Sequence, residues 1–376
     1  MQSKKFSFHD SNVAIISLYT ALPSWHGAAD ITRLVLKYLP IKNKKLFQFV
    51  HLKKNKKYKN VININILNNN PLLKFIFIFV LIFKLKAFFK KKNKKILIIE
   101  GASWCFFSFI IIKFCKILIK NLKIVYHSHN VEYEVRKLKN SKFIVFLTKI
   151  FEKKILDTCE YSTAVSKTDQ RLFYKLYKVK TILLKNGVDK LFSNNLSSKI
   201  NLPKNIIFFP GSYSYYPNKI AIDEIINFHI NKIRKKHKNF YFFFSGEGFP
   251  SHYLKNKNVR YFGILNQKDY DNVLKRSKII FLPLKNAPGT KLKTLQALYG
   301  GKIILCTKYA LKGIDNIKFD NIFIYNKKYE VLSKITFIIK NFEKINKKIK
   351  NNKKNLDKEF YFKYLINKFV RENLNE

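Results

Sequence analysis

The stretch IIFLPLKNAPGTKLKTLQALYGGKIILC, residues 279–306, decides the fold. It opens and closes on short runs of Ile, Leu and Phe bounded by Pro and Gly, which is how buried strands read. Between them, Leu292, Leu295 and Leu298 recur at helical spacing. Gly300-Gly301 then stops the helix and turns the chain. A strand, a loop, one helix and a second strand in so short a span form a β-α-β unit, whose strands must be parallel. The loop ahead of the helix carries Gly289, Thr290, Lys291, Lys293 and Thr294. Backbone N–H groups at a helix start, two ammonium groups and two hydroxyls together suit a diphosphate.

Working outward, the same alternation fills most of the chain. Strand-like runs fall at 206–209, 240–244 and 259–262, with helices predicted at 220–233 and 268–277. Further upstream, strands are predicted at 13–18, 95–99, 123–127, 161–165 and 181–184. Helical patterns lie between them at 28–39, 106–120, 141–156 and 167–177. A polar stretch, 193–201, reads as a linker. The expectation is two doubly wound α/β domains in series, followed by a basic helical tail. Such sheets bind ligands at the carboxyl ends of their strands.

Composition sets outer limits. The chain has 376 residues, 47% of them hydrophobic, enough for two domains and too apolar for disorder. Lys+Arg is 74 and Asp+Glu is 23, for a net charge of +51. Only seven of the 74 are Arg. A nucleic-acid reader usually relies on Arg, whose planar fork grips phosphate and guanine edges, so no specific nucleic-acid partner is expected. Lys, Asn, Ile, Phe and Tyr share AT-rich codons, which makes base composition the first explanation of the charge. Attraction to an anionic partner is the second.

The four cysteines, Cys105, Cys115, Cys159 and Cys306, have neither Cys-x-x-Cys spacing nor a His cluster beside them. That predicts reduced thiols in a cytoplasmic protein, with no zinc site. Residues 1–10 are polar with no apolar run behind them, so no signal peptide is expected. The apolar run 75–83 is too short to span a bilayer. Lys90, Lys91, Lys92, Lys94 and Lys95 follow it closely. Residues 72–95 therefore suit the surface of an anionic membrane, or else a core helix followed by a solvated turn.

Two more segments hold candidate chemistry. In the loop after the first strand, His26 and Gly27 precede a helix start, where N–H groups attract anions. The segment Val125-Tyr126-His127-Ser128-His129-Asn130-Val131-Glu132-Tyr133-Glu134-Val135-Arg136 begins at a strand end with unusual polar density.

In their order, these pieces resemble retaining glycosyltransferases of family 4, which have the GT-B fold. Gly211-Ser212-Tyr213-Ser214-Tyr215-Tyr216-Pro217-Asn218 is similar to the opening of that family's donor domain. Phe243-Phe244-Ser245-Gly246-Glu247-Gly248 and Val259-Arg260-Tyr261-Phe262-Gly263 are similar to its next two strand ends. Gly289-Thr290-Lys291-Leu292-Lys293 through Gly300 resembles its "G-T-R-L-K-x-L-E-A" signature. His127-Ser128-His129-Asn130-Val131-Glu132 and the later Arg136 resemble its acceptor-side "HN-x-E…R" stretch. Val165-Ser166-Lys167 and Asn186-Gly187-Val188-Asp189 resemble landmarks ahead of the linker.

The resemblance implies two Rossmann-like domains facing a cleft: 1–190 for the acceptor and 202–355 for the donor, joined by a linker at 191–201. Residues 356–376 would form a helix returning to the first domain. It implies transfer of a hexose from a nucleoside-diphosphate sugar to a glycan or lipid-linked acceptor, as in cell-surface polysaccharide synthesis. The enzyme would act in the cytoplasm, peripheral to the membrane, with neither cofactor nor metal. Donor contacts would come from Gly211, Ser212, Asn218, Gly246, Phe262, Gly263, Gly289, Thr290, Lys291, Lys293, Thr294 and Gln296. The acceptor side would use His26, Gly27, Asn130, Glu132 and Arg136, with His129 near the reacting centre. Two departures stand out. The family's ribose-binding Glu is Gln296, and the partner Glu of the broader family's pair falls at Pro288. A nucleotide-sugar epimerase of the same fold, and a degenerate transferase acting as a basic membrane- or RNA-binding protein, are the alternatives.

Overall fold

A computed structural model describes residues 11–24, 26–51, 56–66, 70–102, 104–138, 140–191, 202–285, 289–314, 319–351 and 356–374. The chain divides into two compact units, Met1–Asn186 with Phe362–Glu376, and Gly187–Tyr361. The expected linker falls almost entirely outside the described residues, as does Pro288.

The N-terminal unit is built on seven parallel strands: β1 (Asn12–Ser17), β2 (Lys44–His51), β3 (Val61–Ile66), β4 (Lys95–Glu100), β5 (Leu122–His127), β6 (Tyr161–Ala164) and β7 (Ile182–Leu183). Their order is β3-β2-β1-β4-β5-β6-β7. The winding reverses between β1 and β4, and at such a switch point the loops leaving two neighbouring strands part and open a crevice. Register places Glu100, the last residue of β4, beside His127, the last of β5. β2 and β3 were not anticipated. Both lie in a Lys- and Asn-rich stretch, with Lys44 and Lys45 opening β2 and Asn63 and Asn65 interrupting β3, which hides the strand signal. Helices Pro71–Phe89 and Cys105–Leu118 pack on the sheet and against each other, and helix Lys142–Thr158 packs against Cys105–Leu118. The C-terminal helix Phe362–Asn373 packs on helix Gly27–Tyr38 of the same unit.

The second unit has six parallel strands: β8 (Ile206–Pro210), β9 (Tyr241–Ser245), β10 (Val259–Tyr261), β11 (Ile279–Leu282), β12 (Ile303–Cys306) and β13 (Ile322–Ile324). The order is β10-β9-β8-β11-β12-β13, so this sheet switches between β8 and β11. Every residue of β8, β11 and β12 is buried, as expected of strands covered on both faces. Their side chains, with those of the flanking helices, fill one continuous core.

Candidate functional site

In the second unit, the switch point gathers four loop ends. Pro210 pairs with Ser245 across β8 and β9, which sets Gly211 next to Gly246. Gly211 has φ +152° and Gly246 φ +129°, values that side-chain-bearing residues rarely adopt. A Cβ on Gly246 would lie 2.4 Å from the Ser212 nitrogen, so the two backbones touch. A Cβ on Gly211 would lie 2.4 Å from the Lys293 ammonium. The glycines thus let Lys293, at the start of helix Leu292–Tyr299, come up against the end of β8.

Lys293 Nζ donates to Asn218 Oδ1 at 2.8 Å and sits 4.3 Å from the centre of the Phe209 ring. Asn218 is fixed in turn by donating from Nδ2 to the Ser212 carbonyl. Ser212 Oγ accepts the Glu247 N–H, tying the first loop to the second. Burial, helped by the neighbouring Lys291 ammonium, lowers the Lys293 pKa to about 7. Among the described residues no carboxylate pairs with Lys293. Lys285, beyond the end of β11, differs: it is neutralised by buried Glu224 at 2.7 Å. Lys291 points back to the Gly289 carbonyl. Gly289 takes φ +67°, and the helix N-terminus at Lys291 has no side-chain cap.

The remaining donor-side candidates divide. Phe262 packs edge-on against Phe243, and nothing lies within 4 Å of where a Gly263 Cβ would be, leaving space beside β10. Thr290 Oγ1 is buried without a partner and close to Gly313. Thr294 is fully buried and donates to the Ala310 carbonyl at 2.8 Å, so its hydroxyl serves the fold instead of joining the converging groups. Gln296 Oε1 accepts from the Tyr270 hydroxyl at 2.7 Å. An amide oxygen can accept two hydrogen bonds, as the expected ribose contact would require. Gln296→Glu keeps both acceptor roles and should preserve or improve nucleotide affinity. A drop of more than tenfold by calorimetric titration, with the fold intact, would remove Gln296 from the ribose contact.

In the N-terminal unit, the switch point holds a buried polar cluster. Glu100 Oε1 lies 3.0 Å from His127 Nδ1, and Oε2 lies 2.9 Å from His129 Nε2. Thr32 Oγ1 donates to Oε2 at 3.2 Å. Burial alone would raise the Glu100 pKa, but the two imidazoles outweigh it and hold it down at about 2. Burial lowers the His129 pKa, favouring the neutral ring. A neutral ring donates its Nε2–H to Glu100 and leaves Nδ1 as an acceptor. Nδ1 has one long contact, 3.4 Å to the Tyr19 hydroxyl. Gly101, at φ +63°, lies directly against that nitrogen.

Around this cluster, His26 caps helix Gly27–Tyr38 by accepting the Ala29 N–H. Its ring stands edge-on to Tyr19. Glu132 is buried and 3.9 Å from Arg136, whose guanidinium lies over Trp104. Asn130 is half-buried just beyond His129. Glu100, Tyr19 and Thr32 were not among the predicted site residues. One signal was available for Glu100: an acid ending the apolar strand KILIIE, in a segment otherwise full of lysine. Glu152 was also missed; it is buried and caps helix Glu132–Arg136 by accepting the N–H groups of Glu132 and Tyr133. Glu100, His127 and His129 also form the one cluster among the described residues with the composition and spacing of a metal site.

No protein-family model and no curated protein sequence matches the chain. Solved structures do. Sucrose-phosphate synthase from Thermosynechococcus elongatus superposes with a TM-score of 0.75 at 11% identity, over 96% of this chain and 98% of that one. Anabaena HepE, in complex with UDP and glucose, gives 0.70 at 12%, over 97% and 99%. A Listeria monocytogenes protein described as a UDP-N-acetylglucosamine 2-epimerase gives 0.60 at 12%, over 96% and 94%. At these identities the likeness is one of fold: two Rossmann-like α/β domains of the GT-B type.

Proposed function

We propose that the protein is a glycosyltransferase that takes a sugar from a nucleoside-diphosphate donor. One observation carries the reading. Lys293 is a half-buried lysine whose desolvated ammonium has no carboxylate partner among the described residues, set at a switch point beside an uncapped helix N-terminus. A buried charge is costly unless something pairs with it, and a diphosphate supplies the missing anion. As the sugar's anomeric bond breaks, negative charge builds on the departing diphosphate. Lys293 and the helix N-terminus then stabilise it most when it is greatest. Lys291 adds charge from the same turn. The HepE complex contains UDP and glucose, which makes a UDP-sugar the first donor to try.

The finer parts of the reading rest on the family resemblance. They are hexose transfer with retention, membership of family 4, and a glycan or lipid-linked acceptor in cell-surface polysaccharide synthesis. A cytoplasmic site peripheral to the membrane, and operation without cofactor or metal, belong to the same reading. The N-terminal unit would hold the acceptor, with His129 serving the reacting centre. Glu100 holds the imidazole in the tautomer whose Nδ1 accepts a hydrogen bond.

His129→Ala tests this division of labour. Turnover should fall about 100-fold or more, the range of a group acting in the transition state, while nucleotide affinity changes little. Turnover and binding falling together would remove that role. Products should be followed with and without an acceptor sugar. An epimerase isomerises its nucleotide sugar without one, whereas a transferase releases nucleoside diphosphate and builds a new glycoside.

A further inference from the structure

The strongest feature outside the sites is a face of the N-terminal unit. Helices Pro71–Phe89, Cys105–Leu118 and Lys142–Thr158 lie side by side, the second in contact with both others. Aromatic contacts join them: Phe79 meets Phe114 at 5.6 Å, and Phe106 meets Phe151 at 5.0 Å. Their inner sides are core. Their outer sides are also apolar. Phe83 is 66% exposed, Ile117 75% and Phe143 68%. Ile76, Phe114 and Phe146 are exposed on the same three helices. Isolated apolar residues on a surface need no explanation, but a face spread over three adjoining helices does.

The charges beside the face identify its occupant. Helices Pro71–Phe89 and Cys105–Leu118 contain no acid, and Lys84, Lys86 and Lys113 are exposed on them. In helix Lys142–Thr158 the two acids are spent: Glu152 is buried, and Asp157 is bound to Lys153 at 2.7 Å. A second copy docked through this face would set lysines against lysines. Aromatic and aliphatic bulk with lysines and no free acid is instead the pattern of a body resting in the interface of an anionic bilayer. No helix among the described residues is long and apolar enough to cross a membrane, so contact would be with the surface layer.

We propose that this three-helix face is a docking surface for anionic phospholipid bilayers, with the apolar side chains entering the headgroup boundary and the lysines meeting lipid phosphates. The surface is wider than residues 72–95: it takes in the second apolar stretch, 104–112, and the exposed apolar residues of helix Lys142–Thr158. The proposal is independent of sugar transfer, because vesicle binding requires no nucleotide.

The test uses the full chain and sedimenting vesicles of phosphatidylcholine with or without phosphatidylglycerol, at near-physiological salt. A triple variant, Phe83→Ser, Ile117→Ser and Phe143→Ser, removes exposed bulk from each helix. A control, Lys344→Gln, Lys347→Gln and Lys348→Gln, removes exposed charge from helix Phe342–Asn351 of the other unit. Wild type and control should bind the anionic vesicles alike. The apolar variant should bind at least about tenfold more weakly, since each side chain contributes burial in the interface. Equal binding by wild type and apolar variant, or equal losses in both variants, overturns the proposal and leaves the charge as general stickiness. So does self-association of the wild type without vesicle binding. Should the apolar variant misfold, Trp104, exposed at the start of helix Cys105–Leu118, gives a reading in otherwise native protein. In a Trp25→Phe background, its fluorescence should be quenched by brominated anionic lipid; unchanged fluorescence contradicts the proposal.

Discussion

Gly246→Ala is expected to destabilise the C-terminal unit by about 2–6 kcal/mol. Two costs add. The backbone sits at φ +129°, where an L side chain is strained by about 1–3 kcal/mol. The new methyl also meets the Ser212 nitrogen, the Gly211 carbonyl carbon and the Ser212 Cα, all within 2.6 Å. These are backbone atoms of the neighbouring strand end and cannot rotate away, so overpacking adds about 1–3 kcal/mol or more. Urea unfolding should show the loss as a lower midpoint. Nucleotide binding should fail with it, because the same movement displaces the turn that carries Ser212 and Asn218. A variant as stable as wild type would mean that β8 and β9 do not end in contact.

Glu100→Gln is expected to have the second-largest effect, about 2–4 kcal/mol of stability together with a large loss of turnover. The carboxylate holds two imidazoles and the Thr32 hydroxyl in a buried site, and an amide cannot repeat that set of charge-assisted bonds. The acid response follows from the same group. Its folded pKa, about 2, lies below its value in the unfolded chain, about 4.3. The stability it contributes is therefore complete above the unfolded value and is lost as pH falls toward about 2. Wild type should lose stability over that window, and Glu100→Gln should lose less of it. Equal acid sensitivity in both proteins would show that Glu100 is not the linked group.

Much of this was legible beforehand, for identifiable reasons. The strand ends at Gly211 and Gly246 and the helix start after Gly289 announced themselves through Gly and Pro, the residues that chain reversals and close approaches require. Lys293 was predicted from its place after a strand and a glycine loop. What the sequence concealed was pairing. Glu100 and His127 are far apart in the chain, and only the β4–β5 register sets them side by side. The fate of hydroxyls was equally hidden: Thr290 and Thr294 look alike in the motif, but the turn of the helix points Thr294 at Ala310. The strands β2 and β3 were missed because they lie in a Lys- and Asn-rich stretch, although their buried positions, such as Leu46, Phe47, Ile64 and Ile66, are apolar. The long Phe run read as core or membrane surface because it is both: one side packs on the sheet, and the other is exposed.

The central claim is that Lys293 awaits a diphosphate. Calorimetric titration of a UDP-sugar into wild type and Lys293→Ala, at pH 6.5 and pH 8.5, tests it most directly, since such a donor has no ionisation of its own in this range. The pKa of Lys293 in the free protein is lowered to about 7, so its charge is largely present at the lower pH and largely absent at the higher. Wild type should bind, and bind more tightly at pH 6.5. Lys293→Ala should bind about 10- to 150-fold more weakly at pH 6.5, as expected for losing one charge-assisted contact of about 1.5–3 kcal/mol, and should lose most of the pH dependence. Should UDP-sugars fail, the GDP- and ADP-sugars follow in the same format. Absence of binding by wild type to all of them, or equal binding by wild type and a folded Lys293→Ala, would contradict the account.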